Sequence, residues 1–369
     1  MLRIDLNTTK PETVLAQTCD VLKKGGLIIF PTETTYGAGV DATNPKAVDR
    51  LLRYKTRREG KPLSIAVSSQ SMAEQYVELN EQARTLYQQF LPGPLTVISK
   101  ARAGAVAPGV VSEFNTLGVR IPAYPLILEL VSHFGKPLTA TSANASGKAR
   151  PYQIDALLQQ LSAKQKSQID LILDAGKLPA NPPSTVIDTT LSTPLTVRQG
   201  KLKLASDDAV EQLTTHSPEE TKQIAGKLLL KHWNQLRNQG LLITLDGQLG
   251  TGKTVFAQGA GEFLGLQQPL TSPTYTYIEE YPYTRHGVTG VLYHLDLWKV
   301  DSTEQLERLH LADLFQPNNL ILIEWSNPHE SYLNSLATRF STPLISVTIE
   351  DSEQDNNKRS LLICQPTTL

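Results

Sequence analysis

The chain has 369 residues, 40% of them hydrophobic and 19% charged, with a net charge of −1. That length suggests two domains rather than one, and the composition is that of globular protein with enough apolar residues for sizeable cores. Cys19 and Cys364 are the only cysteines and sit near opposite ends, which excludes a disulfide framework or a cysteine-based zinc cluster and suits a reducing cytosol.

No apolar run approaches the span of a membrane helix. Residues 1–5 are interrupted by Arg3 and Asp5 and do not read as a signal peptide. The near-zero net charge hides a contrast. Residues 1–206 carry 24 basic and 16 acidic side chains, whereas residues 207–369 carry 11 basic and 20 acidic ones. Three readings fit: a first half that handles anions such as nucleotides or RNA, two halves that attract each other, or two domains with unlike surfaces.

In chain order, residues 3–6 read as an edge-like strand, followed by a helix over 11–24. Pro11 suits the first helical turn and Gly25-Gly26 stops the helix. Residues 27–30 form a short apolar strand that runs into Pro-Thr-Glu-Thr-Thr-Tyr-Gly at 31–37, too polar for a core and too rich in hydroxyls for a plain turn. A helix over 45–53 leads to the cationic stretch 54–62, then to a strand over 63–67. A Pro/Gly turn at 92–94 feeds a strand.

Residues 117–122 place Arg120 inside an apolar strand, where an arginine needs an anionic partner. Residues 138–140 lead into Thr-Ser-Ala-Asn-Ala-Ser-Gly at 141–147, and residues 183–188 and 197–200 complete an α/β half. Taken singly, Lys55 and Arg57 fit a solvated face, and residues 142–147 fit a turn. Together these segments suit a polyanion and a small polar substrate in one cleft. The residues alone give an anion site and no reaction.

Residues 201–218 are Ser/Thr/Asp-rich with weak periodicity and read as a join. Ser217-Pro218-Glu219-Glu220 starts a helix that runs to about 238 and ends at Gly240. An apolar strand over 241–245 then precedes Gly-Gln-Leu-Gly-Thr-Gly-Lys-Thr at 247–254, and a helix follows over 255–264. This is G-x-x-x-x-G-K-[ST] in its strand–loop–helix context. Gly247, Gly250, Thr251 and Gly252 let the loop curl its N–H groups around phosphate oxygens. Lys253 reaches the outer phosphates, and the Thr254 hydroxyl can ligate Mg²⁺. This half therefore binds a nucleoside triphosphate. The apolar stretches 291–295 and 320–323 end in Asp296 and Glu324, carboxylates able to hold Mg²⁺ or position water. His294 reads as a structural side chain rather than a ligand. Residues 344–349 and 359–364 suggest a terminal hairpin.

The quoted motifs carry two resemblances. The first half resembles the TsaC/YrdC family of L-threonylcarbamoyladenylate synthases. The matches, in family order, are residues 31–37, Lys55-x-Arg57 with Lys61-Pro62-Leu63, and residues 92–96, 118–122, 141–147 and 183–188. The second half resembles TsaE, a small ATPase of the same tRNA-modification pathway, through the phosphate loop and residues 272–275, 294–298 and 323–325. The expected architecture is a YrdC-like twisted α/β domain with a concave cleft over residues 1–206. A P-loop NTPase α/β domain follows over 207–369.

The first resemblance implies that L-threonine and bicarbonate or CO₂ form a carbamate, which attacks the α-phosphate of ATP. Thr34, Arg120, Ser184 and the backbone near Ala140 would hold threonine. Arg57, Lys61, Thr116, Ser142, Arg150 and Arg198 would hold ATP, and Lys55 and Asn144 belong to the Lys-x-Arg…Ser-x-Asn signature. The second implies slow ATP hydrolysis coupled to TsaB- and TsaD-like partners that act on tRNA. There Thr254 and Glu324 would serve Mg²⁺, and Asp296 and Trp325 would complete the site. A cytoplasmic location follows from that pathway. The contrasting expectation is a basic RNA-binding module joined to a regulatory nucleotide switch, with binding that weakens steeply in salt. Trp298-Lys299 stand where TsaE relatives commonly have Tyr-Arg.

Overall fold

A computed structural model describes all residues except 56–61, 146–147, 201, 203–209, 274–276, 353–354 and 365–369. The chain divides into two compact units, Met1–Thr190 with Pro194–Leu204, and Leu191–Thr193 with Ala205–Leu369.

The first unit contains two mixed sheets. In one, the order is Leu2–Asp5, Ile169–Asp174, Leu27–Pro31, Tyr36–Gly39 and Thr141–Ser142. Its first three strands run parallel, and the turn at 32–35 reverses the chain into the antiparallel strand Tyr36–Gly39. The other has the order Leu195–Arg198, Thr185–Asp188, Leu95–Ala101, Thr116–Arg120, Ser64–Ala66 and Leu138–Thr139. Leu27–Pro31 is buried along its whole length, which is why it reads as an unbroken apolar run. The helix Pro11–Lys23 opens on Pro11 and turns its buried Val14, Leu15, Cys19 and Leu22 to the core. The helix Pro45–Lys55 runs two residues further than the sequence suggested, and those two residues, Tyr54 and Lys55, are buried.

The second unit has one sheet of seven strands. Its order is Val210–Thr215, Asp355–Cys364, Leu344–Ser352, Leu241–Asp246, Leu320–Glu324, Val288–Asp296 and Ile278–Arg285. The four strands from Leu344–Ser352 to Val288–Asp296 are parallel, and antiparallel pairs close both sides. Leu241–Asp246 and Leu320–Glu324 are fully buried. The helix Pro218–Gln239 starts where Ser217 accepts the Glu220 N–H and stops at Gly240, at a φ of 75°.

One expectation is corrected. The segment read as a plain join contains the strand Val210–Thr215, paired along its length with Asp355–Cys364. Only Leu213 and Thr215 of that strand are buried, so it carries too little apolar alternation to stand out in sequence.

Candidate active sites

In the second unit the parallel strands end together. Register places Glu324 beside Leu245 on one side and Asp296 on the other, at the carboxyl edge where open α/β sheets bind ligands. The loop between Leu241–Asp246 and the helix Lys253–Leu264 begins with Gly247 at a φ of 142°, where an added Cβ would lie 2.1 Å from the Ile349 carbonyl oxygen. Only glycine fits there. Gly252, at a φ of 104°, is the helix N-cap and turns the chain into the first helical turn.

Lys253 is buried. Its Nζ donates to the carbonyls of Gly247 and Gln248, both at 2.8 Å, and lies 3.8 Å from the centre of the Trp325 ring. Burial lowers its pKa, while the charges of Glu324, Asp246 and Asp296 pull the other way. The lysine is thus held above the loop by groups that phosphate oxygens would outcompete.

The Thr254 hydroxyl donates to Glu324, at 3.1 and 3.3 Å from its two carboxylate oxygens. Asp296 accepts the Ser272 hydroxyl at 2.8 Å and the Trp298 N–H at 3.0 Å. Trp325, at a φ of 60°, donates its N–H to the Leu245 carbonyl and packs against Trp298, with ring centroids 4.3 Å apart.

Three contributors escaped the sequence reading. His294 is fully buried, with Nε2 2.9 Å from Glu324 Oε1 and Nδ1 2.9 Å from the Thr271 carbonyl oxygen, so it ties the strand-end carboxylate to residue 271. The sequence reads it as a structural side chain, and its partner, Glu324, is a predicted site residue. Asp246 accepts the Ser326 hydroxyl and the Asn327 N–H, fixing the turn that carries Trp325. Arg359 donates to the Thr251 carbonyl at 3.2 Å. Its distance in sequence from the loop gives no warning of that contact.

In the first unit the predicted residues come from separate segments. Ser142 pairs with Gly37, and the Ala143 N–H donates to the Tyr36 carbonyl, so residues 141–144 lie against residues 36–37. Buried Lys55 donates to the carbonyls of Ser142 and Asn144, at 2.7 and 2.5 Å. Asn144 donates to the Lys148 carbonyl, but its buried Oδ1 has no hydrogen-bond partner among the described residues. Ala140 spends its N–H on the Ser64 carbonyl. Thr34 is buried, its hydroxyl 3.0 Å from that of Thr32. Arg198 donates to the Ser184 carbonyl and hydroxyl, and Ser184 Oγ lies 3.1 Å from Thr96 Oγ1.

Arg198 is exposed along much of its length, yet its guanidinium is desolvated. That desolvation, with the charges of Arg150 and Arg120, lowers its pKa to about 10. Two further cations therefore bear on the Arg198 guanidinium, and clustered like charge of this kind marks a candidate anion site. Arg120, predicted to need an acid, pairs with Glu33. Thr116 stands apart. It starts the strand that Arg120 ends, about 13 Å away at strand rise, and its hydroxyl lies 2.7 Å from that of Ser112. Arg57 and Lys61 lie outside the described residues.

Comparison with known proteins agrees with this division. Residues 20–200 match the family described as Telomere recombination, which groups Sua5, YciO and YrdC. Residues 215–361 match the Threonylcarbamoyl adenosine biosynthesis protein TsaE. The putative threonylcarbamoyl-AMP synthase of Methanocaldococcus jannaschii is 35% identical over 200 residues, covering 54% of this chain and 92% of that protein. The threonylcarbamoyl-AMP synthase of Bacillus subtilis is 32% identical over 56% of this chain, which spans 58% of that relative's length. The crystal structure of P. abyssi Sua5 complexed with L-threonine aligns with a TM-score of 0.51 at 20% identity, over 94% of this chain and 99% of that one, a likeness of fold. The second unit matches the TsaE family model, and the chain belongs to the threonylcarbamoyl-AMP synthase family of Sua5, YciO and YrdC through its first unit.

Proposed function

We propose that residues 1–206 make threonylcarbamoyl-AMP and pyrophosphate from L-threonine, bicarbonate or CO₂, and ATP. Residues 207–369 bind and hydrolyse ATP in support of a cytoplasmic threonylcarbamoyl transferase complex with TsaB- and TsaD-like subunits acting on tRNA. The observation that supports the synthase reading best is the Arg198 guanidinium, bonded to the Ser184 hydroxyl, which itself lies 3.1 Å from that of Thr96, and subject to the charges of Arg150 and Arg120.

The chemistry asks for such a group. Threonine carbamate is an anion, and it attacks an α-phosphorus that is itself surrounded by negative oxygens. The carbamate oxygen forms a bond to phosphorus as the bond to pyrophosphate breaks, so no covalent enzyme intermediate is needed. Preorganised cations lower this barrier by neutralising charge that grows between the reactants. Arg120 takes the substrate carboxylate, Ser184 and Thr34 its hydroxyl side, and Lys55 with Asn144 sets the 142–144 segment against the phosphates. Lys55 acts here mainly by shaping that backbone, since its ammonium is committed to two carbonyls.

In the second unit Lys253 moves from loop carbonyls to the outer phosphates. The hydroxyl of Thr254 and the carboxylate of Glu324 are hard oxygen donors at the loop end, and they fit Mg²⁺. The ion, when bound, spreads negative charge off the phosphates. His294 holds Glu324 in place from behind, and Asp296 orders the turn at Ser272 and Trp298.

The test is pyrophosphate release from ATP and bicarbonate with and without L-threonine, with ATP hydrolysis to phosphate followed separately. Threonine-dependent pyrophosphate supports the reading. A flat response, with RNA binding that weakens in salt, would replace it with the RNA-binding module.

A further inference from the structure

Glu33 has no role in the reaction as set out above, yet it holds the arginine that reaction needs. Its Oε1 accepts from Arg120 Nη2, and both side chains are largely buried, Arg120 being 11% exposed and Glu33 16%. The pair is incomplete on both sides. Arg120 Nε and Glu33 Oε2 are buried with no hydrogen-bond partner among the described residues. A carboxylate matched to an arginine fork would use two parallel bonds. Glu33 makes one.

The backbone beneath Glu33 is pinned. Thr32 Oγ1 accepts the N–H groups of Thr34 and Thr35 and donates to the Thr35 carbonyl at 2.7 Å. Thr35 Oγ1 donates to the Pro151 carbonyl, and Asn181 donates to the carbonyl of Glu33 itself at 2.9 Å. Thr32, Thr34 and Thr35 are all buried. These bonds hold the turn through its backbone, and the Glu33 side chain is held by its Oε1 contact to Arg120. Arg120 also lies within the charge influence of Arg198, and the carboxylate within its reach is that of Glu33.

We infer that Glu33 is a resident competitor for the ligand carboxylate: its side chain occupies Arg120 until an incoming carboxylate makes the two-point contact that Glu33 does not. This rests on the reading of Arg120 as the carboxylate anchor and adds a gate to it. A ligand without a carboxylate cannot displace Glu33, so the pair selects for an amino acid over its amide and keeps Arg120 from gripping a weaker anion. The apparent dissociation constant of a ligand rises by the reciprocal of the fraction of free Arg120. If Glu33 holds Arg120 about 80–90% of the time, that factor is roughly five to ten.

Calorimetric titration of the full chain with L-threonine, L-threoninamide and ATP tests this in the native protein, in E33Q and in E33A, with melting curves to confirm folding. The expected result is an L-threonine dissociation constant lowered roughly five- to tenfold in E33Q. The same direction is expected in E33A. Threoninamide should bind both forms alike, and ATP affinity should change by less than about twofold. An unchanged or weaker L-threonine affinity in both variants would overturn the inference, because Glu33 would then help to bind the substrate. An equal gain for threoninamide would overturn it too, since the effect would then be general charge. Native protein that releases no pyrophosphate in response to L-threonine would instead overturn the synthase reading, whatever the variants bind.

Discussion

On the proposed reading, the two units hold anions in opposite ways. The second uses one contiguous loop of eight residues, where backbone N–H groups and a helix start face the ligand and a few side chains finish the site. The first uses side chains from at least four separated segments, carried by Arg120, Ser142, Ser184 and Arg198, with Lys55 fixing the backbone at 142–144. A backbone cradle binds any polyphosphate and owes its strength to loop shape. A side-chain cluster can discriminate, because each cation can be given a separate partner. The resting partners show the difference. Lys253 rests on neutral carbonyls of its own loop, whereas Arg120 rests on the carboxylate of Glu33.

The sharpest way to break this comparison is to remove the loop lysine. K253A should lower ATP hydrolysis by at least about 100-fold, the range for deleting a cation that meets transferring phosphates. Threonine-dependent pyrophosphate release should stay within about twofold, because that reaction belongs to the other unit. Both rates are read on one preparation with a melting curve. Loss of both in folded protein would mean the units do not work independently.

The mirror experiment is R120A. Removing the anchor should cut kcat/KM for L-threonine by about 30- to 150-fold, from about 2–3 kcal/mol for a charge-assisted contact. ATP hydrolysis should be untouched. Glu33 loses its partner in this variant, so R120A should also melt earlier. R120K, which keeps the charge but not the fork, separates that cost from the loss of binding.

These two experiments probe residues that were unequally legible. The phosphate loop reads directly because its chemistry is local: the spacing is the geometry. Arg120 was legible only as a question. An arginine in an apolar strand demands an acid, but that acid, Glu33, lies 87 residues earlier in the 32–35 turn, and one sequence contains no trace of the pairing. His294 against Glu324 and Arg359 against Thr251 were hidden for the same reason, as contacts across strands far apart in the chain. The strand Val210–Thr215 was hidden by its own composition, since an edge strand needs few apolar residues. The helices Pro11–Lys23, Pro45–Lys55, Pro218–Gln239 and Lys253–Leu264 were legible because caps and apolar periodicity act within a few residues, whereas Glu81–Phe90, Pro125–Phe134 and Glu330–Arg339 were not anticipated.

A smaller effect sharpens the picture of the loop lysine. Trp298 is 54% exposed and packs against Trp325, whose ring lies against Lys253. W298A should loosen that ring and weaken ATP binding about two- to twelvefold, the range for an aromatic pair of about 0.5–1.5 kcal/mol. Equilibrium nucleotide binding measures it. Unchanged affinity would show that Trp325 is held by its backbone bond to Leu245 alone.

The smallest effect tests what supports the side-chain site. Tyr36, which follows the 32–35 turn, is fully buried. Its hydroxyl donates to the Gly176 carbonyl, accepts the Ala175 N–H, and lies 3.2 Å from Asp174 Oδ1. Asp174 also accepts the Gly176 N–H and pairs with Arg3. Burial by itself would raise the Asp174 carboxyl, but the Gly176 N–H and Arg3 hold it below the usual carboxylate range. A carboxyl lowered in the folded state adds stability above its unfolded pKa and loses that stability as pH falls through the folded value. D174N should therefore destabilise the protein by about 1 kcal/mol at pH 7, read by denaturant unfolding of the full chain. The gap between native and variant should narrow once pH drops below about 4. A gap of the same size at pH 7 and pH 3 would mean that Asp174 acts through shape, and that charge has no part in fixing the turn that carries Glu33 and Thr34.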